Sequence, residues 1–318
     1  MNTEVVHVAV AAIVNSNNEV LISQRASNAH QGGFWEFPGG KLESGEQVQQ
    51  ALLRELEEEL GIHVKSCRPL IKVRHQYPDK TVLLDVWKVD DYTGQAVGKE
   101  GQTIRWQAID QLEPIEFPAA NVPIIQSLNL PEHYLITGKF DSIYEFEERF
   151  GLAIDSGIRL AQLRLTNDWL QTTNEKFAAK IIKLATDLCE QSSVRLMFNI
   201  PDQLAHLITP SCLHLNSRKL LQYSQRPDCD YLSVSCHNLQ EMIEAQALGV
   251  DFMVLSPVQA TATHPDTVPL GWQQFSEMIT QVNVPVYALG GVTKDDTEKA
   301  WLAGAQGIAA IGALWNPV

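Results

Sequence analysis

Gly40, Glu46 and the run Arg54-Glu55-Leu56-Glu57-Glu58-Glu59-Leu60-Gly61-Ile62 crowd carboxylates into one short stretch. At the helical step of about 100° per residue, Glu55, Glu58 and Glu59 share one arc, at the i, i+3, i+4 spacing of helix neighbours. Leu52, Leu53, Leu56 and Leu60 are expected on the adjoining arc. Clustered carboxylates repel, so a cation belongs among them. Hard oxygen donors suit Mg²⁺ or Mn²⁺, and Mg²⁺ also bridges phosphates. Such a wall supports metal-assisted attack on a phosphate chain. Arg54 can pair with the acids and hold their rotamers. Glu46 is expected at the positive end of the helix dipole. The competing reading is a solvated acidic face. Against it, the glycines, the loop and every acid fall in one register.

The elements that position these residues follow from pattern. Residues 4–14 and 19–24 are β-rich, and the turn Asn15-Ser16-Asn17-Asn18 between them is a hairpin signal. A loop with Gly32, Gly33, Pro38, Gly39 and Gly40 leads into a helix expected over 46–60, stopped by Gly61. Strands are expected near 69–75, 81–89 and 103–107, and a short helix over 121–128.

Gly40-x5-Glu46-x7-Arg54-Glu55-Leu56-x-Glu58-Glu59-x-Gly61-Ile62 resembles the Nudix box without a departure. The resemblance implies an α/β/α sandwich and hydrolysis of a nucleoside diphosphate linked to another moiety. It implies that Glu55, Glu58 and Glu59 serve metal binding and base function, with the Gly39 carbonyl as a further ligand. Which glutamate is the base stays open. Outside the box the chain resembles the MutT branch, over about residues 4–130. Ser23-Gln24-Arg25, Ala29-His30 and Trp35-Glu36-Phe37-Pro38-Gly39-Gly40 resemble its substrate loop. Gly98-Lys99-Glu100-Gly101-Gln102 resembles its later metal-side loop, and Phe117-Pro118-Ala119-Ala120-Asn121 its base-reading segment.

The implied substrate is 8-oxo-dGTP, cleaved to the monophosphate and pyrophosphate, which is nucleotide-pool sanitation in support of DNA replication and repair. Asn121 would read the purine edge. Arg25 and His30 would contact the nucleotide, Glu36, Phe37, Pro38 and Gly39 would line the pocket, and Glu100 would join the metal ligands. Lys80 stands where the family representative carries arginine, and lysine lacks the planar fork. Each residue has a plainer role to set beside this: a helix cap for Asn121, a solvated loop for Glu100, a surface ion pair for Arg25, a hydrogen-bonded loop residue for His30.

Near Leu128-Asn129-Leu130-Pro131-Glu132 the texture changes, and domains 1–130 and 131–318 are expected. Beyond the break, apolar runs alternate with amphipathic segments such as Glu175–Cys189 and Leu239–Leu248. The runs are Tyr134–Thr137, Ile158–Leu165, Val194–Ile200, Cys212–Leu215, Tyr231–Ser235, Phe252–Ser256, Val284–Leu289 and Gly307–Gly312. Eight such units fit a (β/α)₈ TIM barrel, with a doubly wound open sheet as the rival.

Gln162-Leu163-Arg164, Asn199, His214-Leu215, Ser233-Val234-Ser235-Cys236-His237 and Ala288-Leu289-Gly290-Gly291-Val292 resemble thiamine phosphate synthase and its relative TenI, over about 133–315. Ser256-Pro257, Thr261-Ala262-Thr263 and Pro269-Leu270-Gly271 extend the likeness. The synthase pattern has Asn-Asp at Asn199-Ile200, aspartate at Lys219, lysine at Thr166 and His264, and serine at Gly312. Two metal carboxylates and two diphosphate-binding cations are therefore missing, and synthase activity is not expected. TenI-like thiazole tautomerase chemistry needs no metal, and His237 stands where that subfamily places a histidine. The alternative for His237 is a hydrogen-bonded barrel residue. Arg164, Asn199, Gly290 and Gly291 are the other barrel candidates, for a thiazole phosphate or related phosphorylated ligand.

The net charge of −14 over 318 residues argues against stable nucleic-acid binding, which needs a basic surface. The five cysteines lack any Cys-x-x-Cys pair and are expected as reduced, mostly buried thiols in a cytoplasmic protein. Val5 to Val14 reads as a strand, neither a leader nor a membrane span.

Overall fold

The computed structural model describes residues 5–26, 31–78, 80–113, 115–209, 211–261 and 267–315. Ala29, His30, Ala262, Thr263 and His264 lie outside the described residues. The chain divides into two compact units, Met1–Asn129 and Leu130–Val318.

The first unit begins with β1 (Val5–Ile13), β2 (Glu19–Gln24), β3 (Trp35–Glu36) and β4 (Gly39–Lys41). Helix α1 (Val48–Leu60) follows, then β5 (His63–Gln76), β6 (Thr81–Thr93), β7 (Ile104–Ala108) and α2 (Val122–Leu128). One sheet has the order β4-β1-β6-β5 and the other β3-β2-β7. β1 runs parallel to β6, with Ala9 opposite Asp85. Its alternation feeds two cores. Ala9, Ala11 and Ile13 pack with Leu52, Leu56 and Leu60 of α1, while Val10, Ala12 and Val14 pack with Ile124 and Ile125 of α2. Both faces of the sheet are therefore covered by helix, and the unit is an α/β/α sandwich.

Three local expectations change. β1 and β2 do not form a hairpin, because each spends its edges on other strands; a single bridge, Val14 to Val20, joins them. The Asn15 side chain still builds the turn, accepting from the Asn17 N–H (2.9 Å) and the Glu19 N–H (3.0 Å). The helix starts at Val48, not Glu46, because the Gln50 side chain accepts from the Gln47 N–H (3.0 Å) and fixes the start there. Leu53 is 39 % exposed, since the packed stripe is Leu52, Leu56 and Leu60 and Leu53 lies a further helical step round. Gly61 ends the helix in the left-handed region (φ 70°), donating to the Glu57 carbonyl.

The second unit comprises β8 (His133–Ile136), α3 (Ile143–Asp155), β9 (Leu160–Arg164), α4 (Asn167–Thr172), α5 (Glu175–Gln191) and β10 (Arg195–Asn199). It continues with β11 (Cys212–Leu215), α6 (Ser217–Leu220), β12 (Tyr231–Cys236), α7 (Leu239–Leu248) and β13 (Phe252–Leu255). It ends with α8 (Gly271–Ile279), β14 (Val286–Leu289), α9 (Thr297–Leu302), β15 (Gly307–Ala310) and α10 (Gly312–Trp315). All eight strands are parallel, and the ring closes where β8 pairs with both β15 and β9. That closure excludes the open sheet. Tyr134, Met197, Phe252, Val254 and Tyr287 fill the interior. Asn174 and Asn238 cap α5 and α7 through their side chains.

All five cysteines are free thiols; Cys189 and Cys236 are buried, while Cys67, Cys212 and Cys229 are only partly so. Among the described residues no helix is long and apolar enough to cross a membrane.

Candidate active site

The loop before α1 brings backbone against the acidic helix. Gly39 has φ 144°, and a Cβ there would press on Val10 Cα at 2.9 Å. A Cβ on Gly40 would overlap the Glu55 carboxylate. Only glycine therefore lets Glu55 lie against this loop. Arg54 organises the outer side. Its Nε and Nη2 grip Glu46 at 3.0 and 2.9 Å, its Nη1 reaches Glu55 at 2.8 Å and Glu58 at 3.3 Å, and Nη2 also donates to the Lys41 carbonyl (3.2 Å). Glu46 stands just before the Gln47 cap of the helix. The Arg54 bonds, with the Glu43 N–H, hold its carboxyl below the usual range.

Glu59 faces inward. The Gly39 N–H donates to its Oε2 at 3.4 Å. Its carboxyl is raised to about 7, by burial first and then by the charge of Glu55, with the Gly39 N–H opposing and Glu100 and Glu36 adding to the rise. Four carboxylates are thus close enough to feel one another. The Glu58 side chain is 59 % exposed and shares the Arg54 guanidinium with Glu55. Among the described residues, no three acidic, histidine or cysteine side chains form a ready metal cage. The donor set still fits a hard divalent cation, being all oxygen, acidic in excess, and carrying one carboxyl that its neighbours drive toward protonation.

Across the loop, Arg25 pairs with Glu36, whose carboxyl is raised first by burial and lowered by Arg25. Phe37 is 4 % exposed and stacks on Phe117 (centroids 5.5 Å), so its ring is part of the core. Pro38 is buried too, and its carbonyl accepts from the Ala11 N–H at 2.8 Å. Asn121 is 7 % exposed, and it makes no capping bond at the start of α2. Its amide only reaches the Pro118 carbonyl, at 3.5 Å. Lys80 closes the β5–β6 turn, its carbonyl accepting from the Tyr77 N–H at 2.8 Å.

Tyr77 escaped the sequence reading. Its phenol hydrogen-bonds the backbone of Ala120, beside Asn121, and feels the charges of Arg25 and Glu36. Burial is the main cause of its raised pKa. An aromatic at a strand end is too common a signal to have marked it.

In the barrel, the polar groups converge on a different histidine from the one expected. Asn199 donates to Gln162 (2.9 Å), Gln162 to the Tyr134 hydroxyl (2.9 Å), and Tyr134 lies 3.3 Å from His214 Nδ1. His214 also meets Ser233 (2.8 Å) and Ser235 (2.7 Å). Burial, then the charge of Arg164, lowers its pKa to about 3, so the ring is neutral. His237 instead is 49 % exposed and paired with Glu241 at 3.0 Å, one turn along α7. Arg164 ends β9, and its N–H donates to Thr137 Oγ1 (2.9 Å). Gly290 and Gly291 (φ 96° and 70°) have no room for a side chain against Pro257 and Gln259. Lys219 donates to the Ile200 carbonyl (3.0 Å) and pairs with Asp202 (2.6 Å).

Residues 9–127 match the family described as NUDIX domain, and residues 133–314 match thiamine monophosphate synthase. The 8-oxo-dGTP diphosphatase of Escherichia coli (strain K12) is 42 % identical over 121 residues, which is 38 % of this chain and 94 % of that protein. This chain is a Nudix hydrolase joined to a member of the thiamine monophosphate synthase family. The CTP pyrophosphohydrolase of the same organism is 32 % identical, over 37 % of this chain and 87 % of the relative. The putative thiamine-phosphate synthase 2 of Aquifex aeolicus (strain VF5) is 28 % identical, over 58 % of this chain and 97 % of the relative. Within the Nudix unit Glu55, Glu100 and Glu36 lie near enough to act on Glu59, and Arg54 joins Glu55 to Glu58 and Glu46. Within the synthase-family barrel the gathered groups are Asn199, Gln162, Tyr134 and His214, with His237 outside that network.

Proposed function

We propose that the Nudix unit is a divalent-metal-dependent nucleoside triphosphate diphosphatase whose preferred substrate is 8-oxo-dGTP. The observation that carries this reading is Glu59, an inward carboxyl raised to about 7 amid Glu55, Glu100 and Glu36. Glu55, Glu59 and Glu100 would hold Mg²⁺ or Mn²⁺, with Glu58 joining once released from Arg54. A bound ion there would neutralise the triphosphate and polarise its phosphorus–oxygen bonds. Arg54 keeps Glu55 and Glu58 in fixed rotamers. One carboxylate of this acidic helix accepts a proton from water. The water oxygen bonds to phosphorus, the bridging bond between the α- and β-phosphates breaks, and the nucleoside monophosphate and pyrophosphate leave. Asn121, buried and with no capping duty, offers both a donor and an acceptor to a purine edge. An unpaired amide in such a place is costly, which is the source of discrimination.

Product identification with 8-oxo-dGTP, dGTP and CTP, with Mg²⁺ or Mn²⁺, tests this. The monophosphate and pyrophosphate should form, with kcat/KM for 8-oxo-dGTP far above the other two. Equal rates on all three would defeat the reading.

The barrel reads as a metal-free binding module for a thiazole phosphate or similar ligand. Lys219, bound to Asp202, supports this because it adds a cation where the synthase pattern has a metal carboxylate. Thiazole phosphate should raise the melting temperature of the full chain without added metal. No shift at millimolar ligand counts against this role.

A further inference from the structure

The loop joining β6 to β7 closes on the last turn of α1. The Val97 N–H donates to the Leu60 carbonyl (3.1 Å), the Lys99 N–H to the Glu59 carbonyl (2.9 Å), and Lys99 Nζ to the Glu57 carbonyl (3.0 Å). These bonds serve carbonyls of the last helical turn, where the Glu57 carbonyl also accepts from the Gly61 N–H. Gln102 does something different. Its Oε1 accepts from the Glu100 N–H at 2.9 Å, and its Nε2 donates to the Glu59 carbonyl at 3.1 Å. One side-chain amide therefore spans the backbones of two acids that lie far apart in sequence. The orientation of that amide is dictated: an N–H needs an acceptor on one side and a carbonyl takes a donor on the other. The loop that carries Glu100 has little freedom of its own. A Cβ on Gly98 would collide with the Gln102 carbonyl, and Gly101 sits in the left-handed region at φ 81°. The Gly101 N–H closes the turn onto the Gly98 carbonyl (3.3 Å).

We propose that Gln102 is a positioning residue, setting the separation of Glu59 and Glu100 so that both can serve one divalent cation. This rests on the reading of that acidic wall as the cation site. Groups that orient metal ligands typically carry about 10- to 100-fold of metal affinity.

The test is Mn²⁺ binding to the full chain without nucleotide, by calorimetry or electron paramagnetic resonance. It uses the unaltered protein, Gln102→Met, Gln102→Ala and Lys99→Ala. Met keeps the length of the side chain and loses both bonds; Ala loses the bulk as well. Lys99→Ala removes a bond to the same helix end and leaves the bridge intact. Both Gln102 variants should bind Mn²⁺ about 10-fold more weakly or worse, with the nucleotide KM at saturating Mn²⁺ unchanged. Lys99→Ala should stay within about twofold of the unaltered protein, as expected for a surface bond. Unchanged Mn²⁺ affinity in a folded Gln102 variant overturns the inference. An equal loss in Lys99→Ala also overturns it, since simple fraying of α1 would then explain the effect. If the unaltered chain takes up no Mn²⁺, the cation-site reading itself fails, and that outcome is distinct from the other two.

Discussion

Gly40 and Glu55 occupy one another's space: the carboxylate lies where the Cβ of any larger residue at position 40 would stand. The helix acid and the loop glycine are thus a single device. Gly40→Ala must push Glu55 away from the loop and out of the acidic wall. A displacement of about 1 Å at reacting groups costs about 10²-fold, so kcat/KM on the nucleotide should fall by that order. The far-ultraviolet circular dichroism should not change, because Gly40 is on the short strand β4 and α1 is capped independently.

Glu59 predicts an unusual pH response of the metal-free protein. Its carboxyl is at about 7 in the folded chain, against 4.5 as the reference. Between those values the folded state holds more proton than the unfolded one. Stability is therefore full below about pH 4.5 and is lost as the pH rises toward 7. The expected loss is about 2 kcal/mol, less than full linkage because part of the carboxyl still meets water. Melting curves in EDTA from pH 4.5 to 8 read it. Glu59→Gln should flatten this part of the profile, and added Mg²⁺ should restore stability at the upper end. A profile that Glu59→Gln leaves unaltered would count against the raised carboxyl.

Asn121 separates recognition from folding. It makes no capping bond, so Asn121→Ala should cost α2 less than the ~1 kcal/mol of a lost cap. Its effect should fall on the substrate ratio. The preference for 8-oxo-dGTP over dGTP should shrink by roughly 10- to 100-fold, the ~1–3 kcal/mol of a buried polar group left without its partner. Steady-state kinetics on both nucleotides, beside a melting curve, check this. A large drop in melting temperature with the ratio intact would return Asn121 to a structural role.

Much of this was legible in the chain because the decisive signals were local. The spacing of Glu55, Glu58 and Glu59 with Gly61 fixes a helix and its end. The apolar runs of the second half announce parallel strands because a barrel strand is covered on both sides. What failed was long-range. Asn15-Ser16-Asn17-Asn18 is a good turn, yet whether two strands pair depends on what else competes for their edges, and β6 and β7 won. That Phe37 is buried was not legible because it stands among loop residues; its stacking on Phe117 depends on a segment far along the chain. His214 and His237 carry the same side chain near consecutive strands. The ring of His214 faces the serines of the next strand and His237 lies beyond the strand end, a distinction set by the register of β11 against β12.

His214 supplies the last prediction, opposite in sign to that of Glu59. Its pKa is about 3 in the folded barrel, against 6.5 as the reference, with burial as the chief cause. The unfolded chain protonates first as the pH falls, so this contribution to stability is full above about pH 6.5 and is lost progressively toward pH 3. Replacing the ring takes one hydrogen-bond partner from each of the hydroxyls of Tyr134, Ser233 and Ser235. His214→Ala should therefore cost the barrel about 3 kcal/mol, from lost packing and lost hydrogen bonds. His237→Ala removes a half-exposed pair with Glu241 and should cost no more than about 0.5 kcal/mol. Urea unfolding of the full chain, followed by barrel tryptophans such as Trp315, would compare them. If the two substitutions cost the same, the hydrogen-bonded network around His214 is not what organises the barrel interior.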